Sequence, residues 1–120
     1  NYFERGAITY SNASKTAELG VPEELIRRHG AVSREVAEAM ASGIRVKANT
    51  DIGISTTGIA GPTGATPEKP VGLVWIGYSD SSETLALKFN FGDDRRRVKE
   101  RAAQAALELV RRKLLRLDVA

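Results

Sequence analysis

The chain has 120 residues, of which 42% are hydrophobic and 28% charged, with a net charge of +3 and no cysteine. This length predicts one domain, residues 1–120, with a single core, and no apolar run approaches the roughly 20 residues that span a bilayer, so we expect no membrane association. The absence of cysteine excludes disulfides, thiolate metal sites and cysteine nucleophiles. The first six residues lack the features of a secretory signal, and a cytoplasmic location is the default expectation.

Basic residues are concentrated near the end of the chain. Half of the 18 lysines and arginines fall between Arg95 and Arg116, against four acidic residues from Asp94 onward. This asymmetry is compatible with a nucleic-acid-binding surface, but interspersed Arg, Lys and Glu are also typical of the solvated side of an amphipathic helix. Because aromatic residues do not interleave with these charges, we rank the nucleic-acid interpretation last and expect no nucleic-acid partner.

The first part of the chain predicts one strand and two short helices. Residues 5–10 are partly β-branched and aromatic and run into a polar turn, which predicts a strand. Residues 14–19 predict a short helix that Gly20 stops. Pro22 is expected at the first position of the next helix, where proline loses no hydrogen bond, and Gly30 at its end.

A longer helix is predicted to follow. Ser33 is a candidate N-cap, because its hydroxyl can accept from a backbone N–H of the first turn. The residues at helical spacing behind it predict one apolar stripe that faces the core: Val36, Ala37, Met40, Ala41 and Ile44.

The second half predicts three strands and a final helix. Residues 52–56 and 71–78 read as strands, the second buried on both faces, and residues 84–91 alternate so cleanly that the last two predict an antiparallel hairpin. A helix over about residues 93–117 is expected to pack on the sheet. Its predicted stripe consists of Val98, Ala102, Ala106, Val110, Leu114 and Leu117. The elements together predict an α/β fold, a three-layer αβα sandwich with a mixed sheet.

The segment between the first two of these strands, residues 56–70, is not explained by a packed core. It holds three glycines, three prolines and four threonines in fifteen residues, which predicts a loop with fixed backbone angles and several free N–H groups and hydroxyls. Such a loop can bind an anion or can be a structural connection, and composition favours neither. It matches neither the phosphate-binding G-x-x-x-x-G-K-[ST] loop nor the G-x-G-x-x-G dinucleotide fingerprint.

The loop and its flanks carry a family resemblance. The sequence TGIAGPTGATPEKPVG resembles the signature of the CinA C-terminal domain family. The resemblance continues upstream in AITYSNASKTAELGVPEELIRRHGAVSREVAEAMASG and downstream in FNFGDDRRRVKERAAQAALELV, so that essentially the whole chain is covered, with the motifs in the family's order.

This resemblance implies an enzyme activity. Members of the family deamidate nicotinamide mononucleotide to nicotinic acid mononucleotide and ammonia in pyridine-nucleotide recycling, with a serine nucleophile and a lysine base and without metal or cofactor. The partner expected for this chain is therefore that small nucleotide. Two interpretations stay open beside it: a non-catalytic nucleotide-binding or regulatory module of a CinA-like protein, and, ranked last, a nucleic-acid-binding surface.

The resemblance also implies roles for individual residues. Lys15 stands at the position of the family's lysine and would be the catalytic base, a role that requires a lowered pKa; its alternative is a solvated lysine on a short helix. Tyr10 would assist in catalysis and Asn12 in substrate binding, or both would serve only the end of a strand. His29, the sole histidine, is expected to be structural.

The glycine-rich loop and the last helix would supply the remaining contacts to substrate. Thr57, Gly58, Ile59, Ala60 and Gly61 match the family's TGIAG loop, which offers N–H and hydroxyl donors. Arg95 matches the arginine that follows Gly-Asp and would hold the phosphate, although one additional aspartate in this chain leaves Arg96 and Arg97 as alternatives.

The family's nucleophilic serine lies in an A-E-S-C-T-G-G motif ahead of the YSN segment, and no residue of this chain matches it. We expect a truncated form of a longer protein rather than a natural short form, because the early elements complete the core. The apolar surface left exposed without them would favour a homo-oligomer, a dimer or higher.

Overall fold

The structure, a computed structural model, describes residues 20–59, 67, 69–92 and 95–115 of the chain. Its elements in chain order are helix α1 (Glu23–His29), helix α2 (Arg34–Ala48), strands β1 (Gly53–Gly58), β2 (Leu73–Ser79) and β3 (Thr84–Asn90), and helix α3 (Arg95–Leu114). The strand predicted at residues 5–10 and the helix predicted at residues 14–19 lie outside the described residues.

Short-range sequence signals set the ends of the first two helices. Pro22 directly precedes α1 with extended backbone, one position earlier than predicted, and the N–H of Gly30 donates to the Ile26 carbonyl at the end of the helix. Ser33 is the N-cap of α2, as predicted: its Oγ accepts from the backbone N of Val36 at 3.3 Å. The predicted apolar stripe of α2 is confirmed by the buried residues Val36, Ala37, Met40 and Ala41.

The three strands form one sheet in the order β1-β2-β3, and both neighbouring pairs are antiparallel. The predicted hairpin is therefore confirmed, with Leu73 opposite Asn90 and Ser79 opposite Thr84. Strand β2 is central and buried along most of its length, whereas β3 is an edge strand of the described sheet with half-buried and exposed side chains.

Helix α2 packs unusually close to one face of the sheet, where glycines remove the intervening side chains. A Cβ atom on Gly53 would lie 2.2 Å from the Ala41 carbonyl oxygen, and one on Gly77 would lie 2.2 Å from the Ala37 carbonyl oxygen. Ser55, between them on this face, donates from Oγ to the same Ala37 carbonyl at 2.6 Å. The α2 backbone is thus in direct contact with β1 and β2.

Helix α3 covers the opposite face, which completes the predicted three-layer αβα arrangement. The core on this side consists of Val74, Ile76, Tyr78, Ala102, Ala106 and Leu109. The prediction for α3 was wrong at Leu114, which is 51% exposed, while Leu109, absent from the predicted stripe, is 3% exposed. The predicted stripe advanced four residues at a time, and each such step turns about 40° around a helix of 3.6 residues per turn, so it left the buried side.

A hydrogen-bonded turn joins β2 to β3 at the end of the sheet distant from the glycine-rich loop. The Tyr78 hydroxyl donates to Asp80 Oδ2 at 2.6 Å, and Asp80 Oδ1 accepts from the backbone N of Ser82 at 2.8 Å and of Glu83 at 2.9 Å. The bond from Tyr78 and the two backbone bonds lower the pKa of Asp80. Burial, reinforced by Asp80, raises the pKa of Tyr78.

At the other end of the sheet two glycines meet. Gly72, before β2, has φ +94°, and Gly92, after β3, has φ +87°. A Cβ on Gly72 would lie 1.9 Å from the Gly92 carbonyl oxygen, whereas a Cβ on Gly92 would have nothing within 4 Å. Only glycine fits at position 72, for both its backbone angle and its neighbour.

Asp80→Asn tests the turn through the pH dependence of stability. Because the folded-state pKa of Asp80 lies below its ordinary value, the carboxylate stabilises the fold at pH values above the unfolded pKa, and this contribution is lost as pH falls through the folded pKa. We expect the variant to be less stable than the wild type near neutral pH and the gap to close below about pH 4. Urea unfolding across this pH range measures it, with the exposed Asp51→Asn as control; a gap independent of pH would contradict the assignment.

Gly72→Ala and Gly92→Ala form a matched pair that tests the contact between the glycines. Both introduce a side chain at positive φ, which costs about 1–2 kcal/mol, but only Gly72→Ala adds a clash with backbone, worth about 1–3 kcal/mol more. We therefore expect Gly72→Ala to lower the free energy of unfolding by about 2 kcal/mol more than Gly92→Ala. Equal losses in chemical denaturation would show that the close approach does not constrain the fold.

Candidate functional site

Three segments of the chain meet at the end of the sheet where the glycines lie. The N–H of Ile59, after β1, donates to the Leu73 carbonyl at 2.9 Å, and the N–H of Gly72 donates to the Ile59 carbonyl at 2.7 Å. The N–H of Phe91, after β3, donates to the Gly72 carbonyl at 3.0 Å. We call this edge, formed by Ile59, Gly72, Phe91 and Gly92, the loop end of the sheet. It joins the TGI, PVG and FGD segments of the sequence.

The connection between α1 and α2 is joined to the same end by two side chains. Thr57 is buried and donates from Oγ1 to the Ala31 carbonyl at 2.8 Å. Lys69, which precedes the PVG turn, donates from Nζ to the His29 carbonyl at 2.8 Å. An ammonium at the C-terminal end of a helix is favourably placed in the helix dipole, so Lys69 stabilises the end of α1.

Three predicted substrate-binding residues are described at the loop end: Thr57, Gly58 and Ile59. Thr57 directs its hydroxyl hydrogen to Ala31, and Ile59 directs its N–H to Leu73, so these two donors already have partners within the fold. Gly58 lies opposite Val74, between hydrogen-bonded pairs, and its backbone N–H therefore points away from β2. The N–H of Gly58 is the donor of these three that faces outward.

Five further predicted site residues, Tyr10, Asn12, Lys15, Ala60 and Gly61, lie outside the described residues.

The basic end of α3 is described through its backbone. Arg95 is the first residue of α3, and Arg96 and Arg97 follow it in the first turn, three residues after Gly92. No acidic residue occurs in that turn. The positive end of the helix dipole therefore coincides with three consecutive arginine positions of the sequence, an arrangement that favours an anion. Arg97 is exposed.

Two features close to the loop end were not anticipated from the sequence. One is the approach of Gly72 to Gly92, which depends on how two distant turns meet. The other is Trp75, which lies opposite Thr57 across the β1–β2 pair and has the Arg34 guanidinium 5.5 Å and the Lys88 ammonium 6.0 Å from its ring centroid. The strand pattern around Trp75 predicted that it lies in the sheet. It did not predict that two cationic side chains lie over its ring.

One carboxyl group on α2, one turn from the Arg34 that lies over Trp75, has a shifted pKa. Glu38 is half-buried on α2, one turn after Arg34. Burial raises the pKa of Glu38, and the Arg34 guanidinium opposes this by favouring the charged form. The exposed Arg34 and the half-buried Glu38 thus place a positive and a negative side chain on the same side of α2.

No helix described here is long and apolar enough to cross a membrane. Within the same residues, no three His, Asp or Glu side chains come together as a potential metal site.

Comparison with known proteins assigns the chain to a family. The model of the CinA C-terminal domain matches residues 1–114. A CinA-like protein of Kosmotoga olearia is 54% identical over 96% of this chain and 28% of its own length. A CinA-like protein of Salinibacter ruber is 53% identical over 95% and 28%. The chain thus spans less than a third of the curated relatives that it matches.

Solved structures agree with this result. The competence/damage-inducible protein CihA of Agrobacterium tumefaciens is similar with a TM-score of 0.81 and 36% identity, over 85% of this chain and 63% of that one. The competence damage-inducible protein A of Klebsiella pneumoniae is similar with a TM-score of 0.83 and 34% identity, over 89% and 66%. The α/β fold is that of these solved structures, and the chain belongs to the CinA C-terminal domain family.

Proposed function

We propose that this domain, residues 1–120, takes part in the hydrolysis of the carboxamide of nicotinamide mononucleotide. A serine hydroxyl adds to the amide carbon while the base takes its proton, and the C–N bond then breaks as the nitrogen leaves as ammonia with that proton. Water hydrolyses the resulting acyl ester, which releases nicotinic acid mononucleotide and regenerates the serine. Family membership supports the choice of this chemistry. The observation that carries the proposal is the meeting of the TGI, PVG and FGD segments at one end of the sheet, beside the basic first turn of α3.

The reaction needs a nucleophile, a base, donors to the oxyanion and a contact to the 5′-phosphate. We assign the base to Lys15, with Tyr10 orienting it, and contacts to substrate to Asn12 and to the loop that continues through Ala60 and Gly61. The outward N–H of Gly58 is a further donor. The nucleophilic serine is assigned to a segment outside this chain, and neither metal nor cofactor is required.

The phosphate contact is assigned to Arg95. A guanidinium can bind two phosphate oxygens at once, and its position at the start of α3 adds the favourable end of the helix dipole. Because the phosphate of the substrate is anionic while its amide is neutral, a cationic turn that binds the phosphate can orient the amide towards the base.

Lys15→Ala tests the base assignment. The assay measures ammonia released from nicotinamide mononucleotide by the protein that carries the serine segment, with this chain alone as comparison. Loss of a general base is expected to lower kcat about 100- to 10,000-fold with little change in KM. Lys88→Ala, which removes an exposed lysine on β3, is the matched control. Unchanged turnover in Lys15→Ala would remove the base assignment.

The same experiment decides between the proposal and a nucleotide-binding module. Calorimetry with nicotinamide mononucleotide runs beside the ammonia assay on the same protein. Binding with ammonia release supports the amidohydrolase. Binding without release by the protein that carries the serine segment would favour the non-catalytic alternative.

Arg95→Ala tests the phosphate contact by comparing two substrates. Removing a charge-assisted hydrogen bond is expected to raise KM for nicotinamide mononucleotide about 10- to 100-fold. Turnover of nicotinamide riboside, which lacks the phosphate, should be unaffected. Arg97→Ala, two residues further along α3, is the matched control; if it has the larger effect, the phosphate contact belongs to Arg97.

A further inference from the structure

Strand β3 leaves one side of its backbone without a partner in the described part of the chain. The N–H of Phe91 donates to the Gly72 carbonyl and the N–H of Asp80 to the Glu83 carbonyl, and both bonds follow the register of the β2–β3 ladder. Every second residue of β3 between them therefore forms a hydrogen-bonded pair with β2: Leu85, Leu87 and Phe89. The N–H and C=O groups of the alternate residues point away from the sheet: Thr84, Ala86, Lys88 and Asn90. We call this row the outer edge of β3.

The outer edge lacks the usual features that keep strands apart. Natural edge strands are guarded by proline, bulges or outward charges, especially lysine. The seven residues of β3 contain no proline, and their register with β2 is continuous. The single charged side chain of the strand, Lys88, has its ammonium 6.0 Å from the Trp75 ring centroid on the neighbouring strand, so its charge is directed over the sheet.

The other polar side chains of the edge are also engaged by their own chain. The Thr84 hydroxyl is 2.8 Å from that of Ser79, and Asn90 Oδ1 accepts from the N–H of Gly92 at 3.1 Å. Ala86 has no polar side chain. The outer edge is therefore a row of backbone donors and acceptors with one charged side chain, that of Lys88, which lies over Trp75.

We propose that two copies of this chain pair through their β3 edges, antiparallel about a two-fold axis at Ala86, to form one continuous sheet. In this register Leu85 lies opposite Leu87 of the partner subunit, and Thr84 lies opposite Lys88 of the partner subunit. Two leucine pairs then extend the half-buried apolar face of β3, and cross-strand apolar pairs stabilise a sheet.

The register follows from charge and from apolar matching together. A two-fold axis at Lys88 would place two ammonium groups directly opposite each other, which is unfavourable. An axis at Ala86 separates them by four residues along the strand, about 13 Å. With the axis at Ala86, the two leucines of one edge pair with the two leucines of the same edge in the partner subunit. This self-complementarity favours a second copy over an unrelated strand.

Strand β1 is the other edge of the described sheet, and it is a poorer choice for self-pairing. The sequence predicts a further strand at residues 5–10, which is a candidate for that edge within the same chain. Among the strands that the structure describes, β3 is the one whose outer edge has no predicted strand of this chain assigned to it, and this favours β3 for pairing with another copy.

Sedimentation velocity of the full protein over a dilution series tests the proposal. We expect a reversible dimer in the wild type. Ala86→Pro removes an outward N–H and should give a monomer with an unchanged circular dichroism spectrum, since proline is tolerated at an edge when its nitrogen faces outward. Ala86→Ser, which keeps the outward N–H at the same position, is the matched control and should remain dimeric.

Exposed Thr84 offers a second test that does not depend on proline. Thr84→Glu should tighten the dimer by about three- to tenfold through attraction to Lys88 of the partner subunit, and Thr84→Lys should weaken it similarly. Adding Lys88→Glu to Thr84→Lys should restore the affinity. In hydrogen exchange, the amides of Ala86 and Lys88 should become protected as concentration rises.

A monomeric wild type at all concentrations would overturn the proposal. A dimer that survives Ala86→Pro and is indifferent to charge at Thr84 would also overturn it, by showing that the interface lies elsewhere. These outcomes are independent of nucleotide turnover, so they leave the proposed activity untouched.

Discussion

The contact between Gly72 and Gly92 constrains the arrangement of the loop end. Two turns with positive φ bring the peptide groups so close that no side chain fits between them. This contact allows Gly72 to bond with its N–H to Ile59 and with its carbonyl to Phe91, so one residue connects β1, the β2 turn and the β3 exit.

Close backbone approach recurs on the other side of the sheet. Gly53 and Gly77 let α2 lie directly against β1 and β2, and Ser55 and Thr57 then reach carbonyls of α2 and of the connection before it. The hydroxyls are buried and satisfied, which is the condition for polar groups to remain in such an interface without large cost. The hydroxyl of Thr57 therefore stabilises the packing of the α1–α2 connection against β1. This contact also helps to fix the positions of its neighbours Gly58 and Ile59 at the start of the loop.

The sequence predicted those features that depend on local patterns. The hairpin of β2 and β3, the capping of α2 by Ser33 and the buried stripe from Val36 to Ala41 all follow from spacing and side-chain type, and all are present. The stripe of α3 failed at Leu114, because a four-residue step drifts around the helix and only the position of the sheet decides which side is buried.

The sequence located the segments that form the candidate site, but it did not show which of their N–H and hydroxyl groups are free to bind a ligand. A TGIAG loop suggests several free N–H and hydroxyl groups, yet the hydroxyl hydrogen of Thr57 and the N–H of Ile59 have partners in the fold. Which backbone groups face outward depends on the phase of the ladder, and sequence patterns do not specify that phase. The family resemblance located the loop, whereas the pairing of Ile59 with Leu73 identified Gly58 as the outward donor.

The same phase argument applies at both edges of the sheet and links the site to the rest of the fold. Because Ile59 is bonded to Leu73, the backbone of β1 that faces outward belongs to Ile54, Thr56 and Gly58, and this outward row reaches the loop end. Because Phe91 is bonded to Gly72, the outward row of β3 belongs to Thr84, Ala86, Lys88 and Asn90. The bonds made by Ile59 and Gly72 thus determine which backbone groups face outward at both edges of the described sheet. A change that slipped either ladder by one residue would exchange inward and outward groups and alter both surfaces together.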